Sequence, residues 1–117
     1  MPAMTQQATR FSQLSAPRQA LVRLLQSMNF GSVECLEVRS GEPVFNPPPT
    51  VLVEVKLDSE PEVRPEFTIA DFELRAEVTR LFAQLDLLDD GSIDRIDVRH
   101  GIPWRMVVER PLRGVRR

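Results

Sequence analysis

A repeated pattern constrains the fold of this chain more than any other feature of its sequence. The thirteen residues Gly31–Pro43 align without a gap on Gly91–Pro103, with six identical pairs and four exchanges between similar residues. Upstream, residues 21–28 resemble residues 78–85, and downstream residues 51–57 resemble residues 106–112 once a longer proline-rich insert in the first copy is allowed for. Three matches in the same order favour duplication over chance similarity between two hairpins.

Each copy begins with a predicted amphipathic helix. In the first copy, Ser15 is a suitable N-cap, Pro17 lies in the first turn, and the helix is expected to end before Gly31. This helix has one apolar face, formed at helical spacing by Leu21, Leu24, Leu25 and Met28. In the second copy, Thr68 is the predicted N-cap, with Asp71 three residues later, and an apolar stripe continues to residue 88.

A predicted β-hairpin follows each helix. Leu36 and Val38 alternate with Glu37, and the same alternation recurs at residues 96–98, which is the period of a half-buried strand. Residues 39–41 and 99–101 are predicted to form three-residue turns, in which a glycine supplies positive φ. We expect a bulge or twist at residues 34–35 and 94–95, where strict alternation fails. The return strands are expected to direct alternate apolar side chains inward, at Val51, Val53, Val55, Leu57, Met106 and Val108.

The predicted fold class is therefore α+β, an α-β-β-α-β-β internal repeat with two helices packed on one face of a four-stranded antiparallel sheet. We expect a single domain over residues 15–112, made of the helix-hairpin repeats 15–57 and 68–112. Residues 1–14 are predicted to be a mobile N-terminal segment and residues 113–117 a basic tail. The expected core contains Leu24, Leu25, Val53, Leu81, Phe82 and Val108.

The unit of a short helix, then Gly-Ser-Val or Gly-Ser-Ile, then a hairpin that turns at a glycine and returns through a valine-rich strand, resembles a family of short bacterial proteins of unassigned function. Those proteins resemble single copies of the unit, and the similarity covers residues 21–57 and 78–112. The resemblance implies the helix-and-hairpin fold, and it carries over no catalytic or binding residue.

The residue types present leave little catalytic or metal chemistry. Cys35 is the only cysteine and His100 the only histidine, which excludes an internal disulfide and removes most zinc and imidazole chemistry. The aspartates at 86, 89, 90 and 94 do not have the spacing of a calcium-binding loop. No apolar run is long enough for a membrane span, and the N-terminus lacks the features of a signal peptide. We therefore expect a cytoplasmic protein that is not an enzyme, with no cofactor, no metal and no membrane partner.

Charge is segregated along the chain. Residues 58–94 carry a net charge of -8, whereas residues 95–117 carry +5. Such polarity orients a protein partner or brings the basic end to nucleic-acid phosphates. The candidate binding residues on this basis are Arg95, Arg99, Trp104, Arg105, Arg113, Arg116 and Arg117. The alternative is internal neutralisation, in which the hairpin arginines pair across strands with Asp97 and Glu109.

The charge pattern and the predicted fold are compatible with two functions. The favoured one is a macromolecular interaction module that binds a protein partner or itself, for which the edge offered by the second return strand is one candidate surface. The other is a nucleic-acid-binding accessory or regulatory protein that uses the arginine-rich second hairpin and tail. Only Trp104 offers an aromatic ring near the outer sheet for base stacking, which weakens the second function.

Overall fold

Two helices and a five-stranded antiparallel sheet make up the part of the chain that the computed structural model describes, residues 8–58 and 70–109. The helices are α1 (Ala16–Met28) and α2 (Ala76–Leu88). The strands are β1 (Phe30–Arg39), β2 (Glu42–Val44), β3 (Thr50–Val53), β4 (Gly91–Arg99) and β5 (Ile102–Val108). The predicted α+β class with two helices and an antiparallel sheet is confirmed.

The central pair of strands is β1 and β4, and β5 lies outside β4. On the other side, β2 and β3 both pair with β1, β2 near its C-terminal end and β3 near its N-terminal end. The predicted count of four strands is therefore wrong. The return strand of the first hairpin is divided because Pro47, Pro48 and Pro49 have no backbone N–H to continue a ladder.

The first helix begins as its sequence predicts and the second does not. Ser15 caps α1, and its hydroxyl accepts a hydrogen bond from the Arg18 amide at 3.4 Å. In contrast, α2 begins at Ala76, because Asp71 is engaged outside the helix with the N-terminal segment. The predicted cap Thr68 lies outside the described residues.

Part of the N-terminal segment belongs to the folded domain. Residues Phe11–Gln13 form a short 3-10 helix, and the buried Phe11 ring stacks on Phe72 with centroids 4.9 Å apart. The Phe11 amide also donates to the Phe72 carbonyl at 2.9 Å. Of residues 1–14, which we expected to be mobile, Phe11 and Leu14 belong to the core and Ala8 packs against it; residues 1–7 lie outside the described part of the chain.

An ion pair holds this segment to the residues that precede α2. The Arg10 guanidinium donates to the Asp71 carboxylate at 2.9 Å, and the Ser12 amide donates to the other oxygen of Asp71 at 2.8 Å. These bonds favour the ionised carboxylate. The Arg10 hydrogen bond, followed by that of Ser12, lowers the pKa of Asp71 from 3.8 to about 2.

The core lies between the helices and one face of the sheet. It combines side chains of both helices, both central strands and the N-terminal segment: Leu21, Val22, Leu25, Met28, Val78, Leu81, Phe82, Leu85, Val33, Leu36, Val38, Ile93, Ile96, Val98, Phe11 and Leu14. Of the expected core, three residues are buried, and Leu24 and Val108 pack against the core partly buried. Val53 was wrongly placed there, since it is 49% exposed at the rim of the sheet.

The hairpin turns are tighter than predicted. Arg39 pairs with Glu42, so only Ser40 and Gly41 form the first turn, and both have positive φ. The second turn has the same geometry. Positive φ at both central residues is the requirement of a two-residue type I′ turn, which matches the twist of the strands. The expected irregularity is present at Cys35, where φ is 61°, and between Ile93 and Arg95 in the pairing of β4 with β5.

The two helices are 60 positions apart, as are the two turn glycines and the positive-φ residues Asn29 and Asp89. Applied to the predicted repeat, this offset places Leu21 against Leu81, three residues beyond the predicted match with Val78. A helical apolar face recurs every three or four residues, so such a slip leaves the pattern almost unchanged.

Candidate functional site

The most exposed apolar part of the sheet is β3. Val51, Leu52 and Val53 are 37%, 48% and 49% exposed. Val51 lies opposite the core residue Val33, so Val51 and Val53 point to the side of the helices, and Leu52 points to the outer face. β3 thus carries apolar side chains on both faces at an edge of the sheet.

The backbone groups of β3 alternate between its partner strand and the open edge. The Glu54 amide donates to the Phe30 carbonyl at 2.8 Å, and the Leu52 carbonyl approaches β1 so closely that a Cβ on Gly31 would be 2.0 Å from its oxygen. In an antiparallel ladder, the residues between these two direct their N–H and C=O groups the other way. The N–H and C=O groups of Val51 and Val53 therefore point away from β1, in the plane of the sheet, toward its open edge.

The candidate basic residues of the second hairpin lie on the outer face, where acids neutralise two of them. The Arg95 guanidinium donates to Asp97 at 2.7 Å and lies 3.3 Å from a carboxylate oxygen of Glu34. Arg105 lies 3.2 Å from the other oxygen of Asp97, whose side chain is buried beneath the two arginines. The hydrogen bond and charge of Asp97 raise the pKa of Arg95 above its ordinary value.

A second pair on this hairpin joins Arg99 and Trp104. The Arg99 guanidinium lies over the indole ring, 4.3 Å from its centroid, in a cation–π contact. Val98 pairs with Pro103 and Asp97 with Arg105, which leaves Trp104 bulged between them and half exposed. The structure thus places the predicted hairpin residues in two separate pairs: Arg95 and Arg105 share Asp97, and Arg99 contacts Trp104. Arg113, Arg116 and Arg117 lie outside the described residues.

A groove of about 680 Å³ lies between α1, α2 and the first hairpin turn. Arg18 is its central cation, with its guanidinium 4.9 Å from the centroid of the Phe82 ring. That guanidinium donates to Asp86 at 2.6 Å and lies 3.6 Å from a carboxylate oxygen of Glu42. Because two carboxylates already compensate Arg18, the groove offers no net positive site for an anionic ligand.

The residues considered for catalysis have structural surroundings. His100 occupies the second turn, and its ring meets the edge of Phe30 with centroids 4.8 Å apart. Cys35 is exposed on β1. Within residues 8–58 and 70–109, no group of three or more His, Cys, Asp or Glu side chains could hold a metal ion. Neither helix in this part of the chain has the length and apolarity to cross a membrane.

Comparison with protein-family models, with curated proteins and with solved structures finds no match to this chain. The resemblance to short bacterial helix-and-hairpin proteins stays a prediction.

Sequence reasoning missed β3 as a surface, because we assigned Val51 and Val53 to the core. A signal was present: Leu52 is apolar at a position that faces outward, so the run from Val51 to Val53 is apolar on both faces. Such a strand is typical of burial on both sides or of an interface.

Proposed function

We propose that this protein is a non-enzymatic protein-interaction module that binds an extended segment of its partner by strand addition to β3. The observation that carries this proposal is the combination, on one edge strand, of outward backbone groups at Val51 and Val53 with exposed apolar side chains on both faces. In strand addition, backbone hydrogen bonds supply affinity and alternate side chains supply specificity.

β3 itself carries neither of two common protections against pairing with other chains. Natural edge strands are commonly blunted by charged or proline residues. Residues 50–53 contain neither, and the first charge is at Glu54. In contrast, β5 at the opposite edge carries Pro103 and Arg105, and its last three residues are partly buried. We therefore favour β3 over the second return strand as the binding edge.

Site-specific photo-crosslinking tests this function. A photoreactive amino acid replaces Leu52 in the full chain, in cells that express the protein, and Leu87 serves as the matched control because it is an exposed leucine on α2. We expect covalent adducts with a polypeptide at position 52 and few at position 87. Absence of adducts at position 52, or equal labelling at both positions, would refute strand addition at β3.

We also propose that the two helix-hairpin halves arose by duplication and are related by a pseudo-twofold axis between β1 and β4. The pairing supports this, because Val33 lies opposite Ile96 and Leu36 opposite Ile93. Ile93 is 60 positions after Val33 and Ile96 is 60 positions after Leu36, so each pair contains the counterparts of the other. The fourfold variant V33I/L36I/I93V/I96L gives each of these positions the residue of its counterpart 60 positions away, as a rotation about the axis would. It is expected to lose less than about 1.5 kcal/mol of unfolding free energy, as volume-conserving core changes do. A much larger loss in urea unfolding would contradict the equivalence.

Nucleic-acid binding is a second candidate, favoured by the exposed Trp104 and Arg99 pair on the outer face. Aromatic rings and guanidinium planes both stack on unpaired bases. The neutralisation of Arg95 and Arg105 by acids weighs against it.

The test is a titration with single-stranded RNA and DNA at several salt concentrations, in which Trp104→Ala and the triple neutralisation of Arg113, Arg116 and Arg117 are compared with wild type. Salt-sensitive wild-type binding that these variants weaken would support this candidate, and indifference to nucleic acid would reject it.

A further inference from the structure

We infer that the partner of the β3 edge is a second copy of this chain, paired antiparallel with the first through residues 53–57. This inference rests on the proposed strand addition and names its partner. Three properties of the segment lead to it: the exposure of its apolar row, the direction of its backbone groups and the order of its charges.

The apolar row extends beyond β3. Val55 is 70% exposed and Leu57 is 94% exposed, and they continue the alternation of Val51 and Val53. β3 ends at Val53 and the chain bends at Leu57, so the proposed pairing extends the strand through Leu57. In the extended form these four side chains share one face. A partner that covers this row must present apolar side chains at the same spacing, and a second copy of residues 53–57 does so for Val53, Val55 and Leu57.

The backbone restricts how two copies can pair. Because Val51 and Val53 direct their N–H and C=O groups outward, odd-numbered residues of one copy must face odd-numbered residues of the other. The registers that satisfy this rule and keep the segment paired are centred on Val53, Glu54 or Val55. In each case a twofold axis passes midway between the two copies of the central residue.

The charges then select one register. Centred on Glu54, the pairing sets this carboxylate against the same carboxylate of the second copy. Centred on Val53, it sets Glu54 against Leu52 and Lys56 against Thr50, with no ion pair. Centred on Val55, it sets Glu54 against Lys56 of the second copy twice, and Val53 against Leu57. Opposite charges across a strand pair stabilise it and like charges destabilise it, so the Val55 register is favoured.

The resulting assembly is a closed dimer. The same edge of each copy is used, so the interface is isologous and no further copy can add to it. The two sheets join at the C-terminal end of β3, through residues 53–57, into one sheet that spans both copies. Each copy places its own α1 and α2 on the side to which Val51 and Val53 point.

Charge exchange provides the first test, with sedimentation velocity of the full chain over a range of concentrations. Wild type is expected to dimerise. Glu54→Lys and Lys56→Glu each convert both attractive pairs into repulsive ones, so each variant alone is expected to dissociate with a constant raised about tenfold or more. An equimolar mixture of the two variants regains both ion pairs and is expected to form a heterodimer with an affinity close to that of wild type.

Disulfide trapping provides an independent test of the register. In a Cys35→Ser background, which removes the exposed native thiol, Val55→Cys brings two thiols directly opposite each other across the axis. Directly opposite residues in a hydrogen-bonded pair have Cα atoms about 5.5 Å apart, within the range that a disulfide spans. Val53→Cys is the matched control, because its partner is Leu57 of the second copy. Oxidation is expected to cross-link V55C and to leave V53C largely monomeric.

The outcomes separate this inference from the proposed function. A wild-type chain that stays monomeric at all concentrations, or a dimer that neither charge variant weakens, overturns the self-pairing. Equal trapping of V53C and V55C overturns the register. Strand addition itself stands if photo-crosslinking at position 52 captures a different polypeptide, and it fails together with the dimer if position 52 captures none.

Discussion

The backbone amide of Gly41 donates a hydrogen bond to the carbonyl of Asp89, with nitrogen and oxygen 2.8 Å apart. Sixty positions away, the amide of Gly101 donates to the carbonyl of Asn29 over the same distance. Each hairpin turn is thus tied to the residue that ends the helix of the other half. A single helix and hairpin is too small to exclude water, and these reciprocal bonds join the two halves into one domain.

The leucines of α2 offer a matched test of the core. Leu81 is buried, whereas Leu87 on the same helix is 72% exposed. We expect Leu81→Ala to lower the free energy of unfolding by about 2–5 kcal/mol, because it removes buried contacts and leaves a cavity. Leu87→Ala is expected to change it by less than about 0.5 kcal/mol. Urea unfolding of both variants measures this, and equal effects would mean that the buried face of α2 is misassigned.

Gly31 and Gly91, near the starts of β1 and β4, differ in how close an added methyl group would lie to other atoms. At Gly31 an added Cβ would lie 2.0 Å from the Leu52 carbonyl oxygen, whereas at Gly91 the nearest atom is a leucine side-chain carbon at 3.1 Å. We therefore expect Gly31→Ala to separate β3 from β1 and to cost roughly 1–3 kcal/mol. Amide hydrogen exchange of residues 50–54 is expected to accelerate in this variant. In Gly91→Ala the same amides are expected to keep their protection.

The outer-face acid Asp97 matters more to stability than either of its arginine partners. Its side chain is 10% exposed, whereas that of Arg105 is 55% exposed. Asp97→Ala leaves both Arg95 and Arg105 without this acceptor and is expected to cost about 1–3 kcal/mol. Arg105→Ala is expected to cost less than about 1 kcal/mol, because an exposed ion pair is screened by water. A thermal midpoint lowered equally by both substitutions would contradict this order.

The ion pair of Arg10 and Asp71 makes stability depend on acid pH. Because the pKa of Asp71 falls to about 2 in the folded chain, its ionised form stabilises the fold above pH 3.8, and this contribution is lost as the pH falls through 2. We expect Asp71→Asn to be less stable than wild type near neutral pH, with the difference shrinking as the pH decreases through this window. Arg10→Met, which removes the partner, is expected to reduce stability near neutral pH. Denaturant unfolding at a series of pH values measures both, and a difference that stays constant with pH would exclude the assigned contact.

Several features of the fold could be predicted from local sequence because local interactions decide them. The Ser15 cap, the end of α1 before Gly31 and the irregularity near residues 35 and 94 each depend on neighbouring residues along the chain. The start of α2 could not be predicted this way. Asp71 suits a helix N-terminus, but its bonds to Arg10 and Ser12, which are distant in sequence, hold it in the extended segment before the helix.

The sequence alone determined the order of helices and hairpins, the antiparallel pairing and the apolar face of each helix, because the periods of two and of about 3.6 residues are local properties of the backbone. Only the tertiary structure decided which apolar strand is covered. Val53 and Val38 are equally apolar valines in predicted strands, yet one is half exposed and the other fully buried. The difference arises because Val38 lies on the central strand β1 within the core, whereas Val53 lies on β3 at the edge of the sheet, and no local pattern encodes that placement.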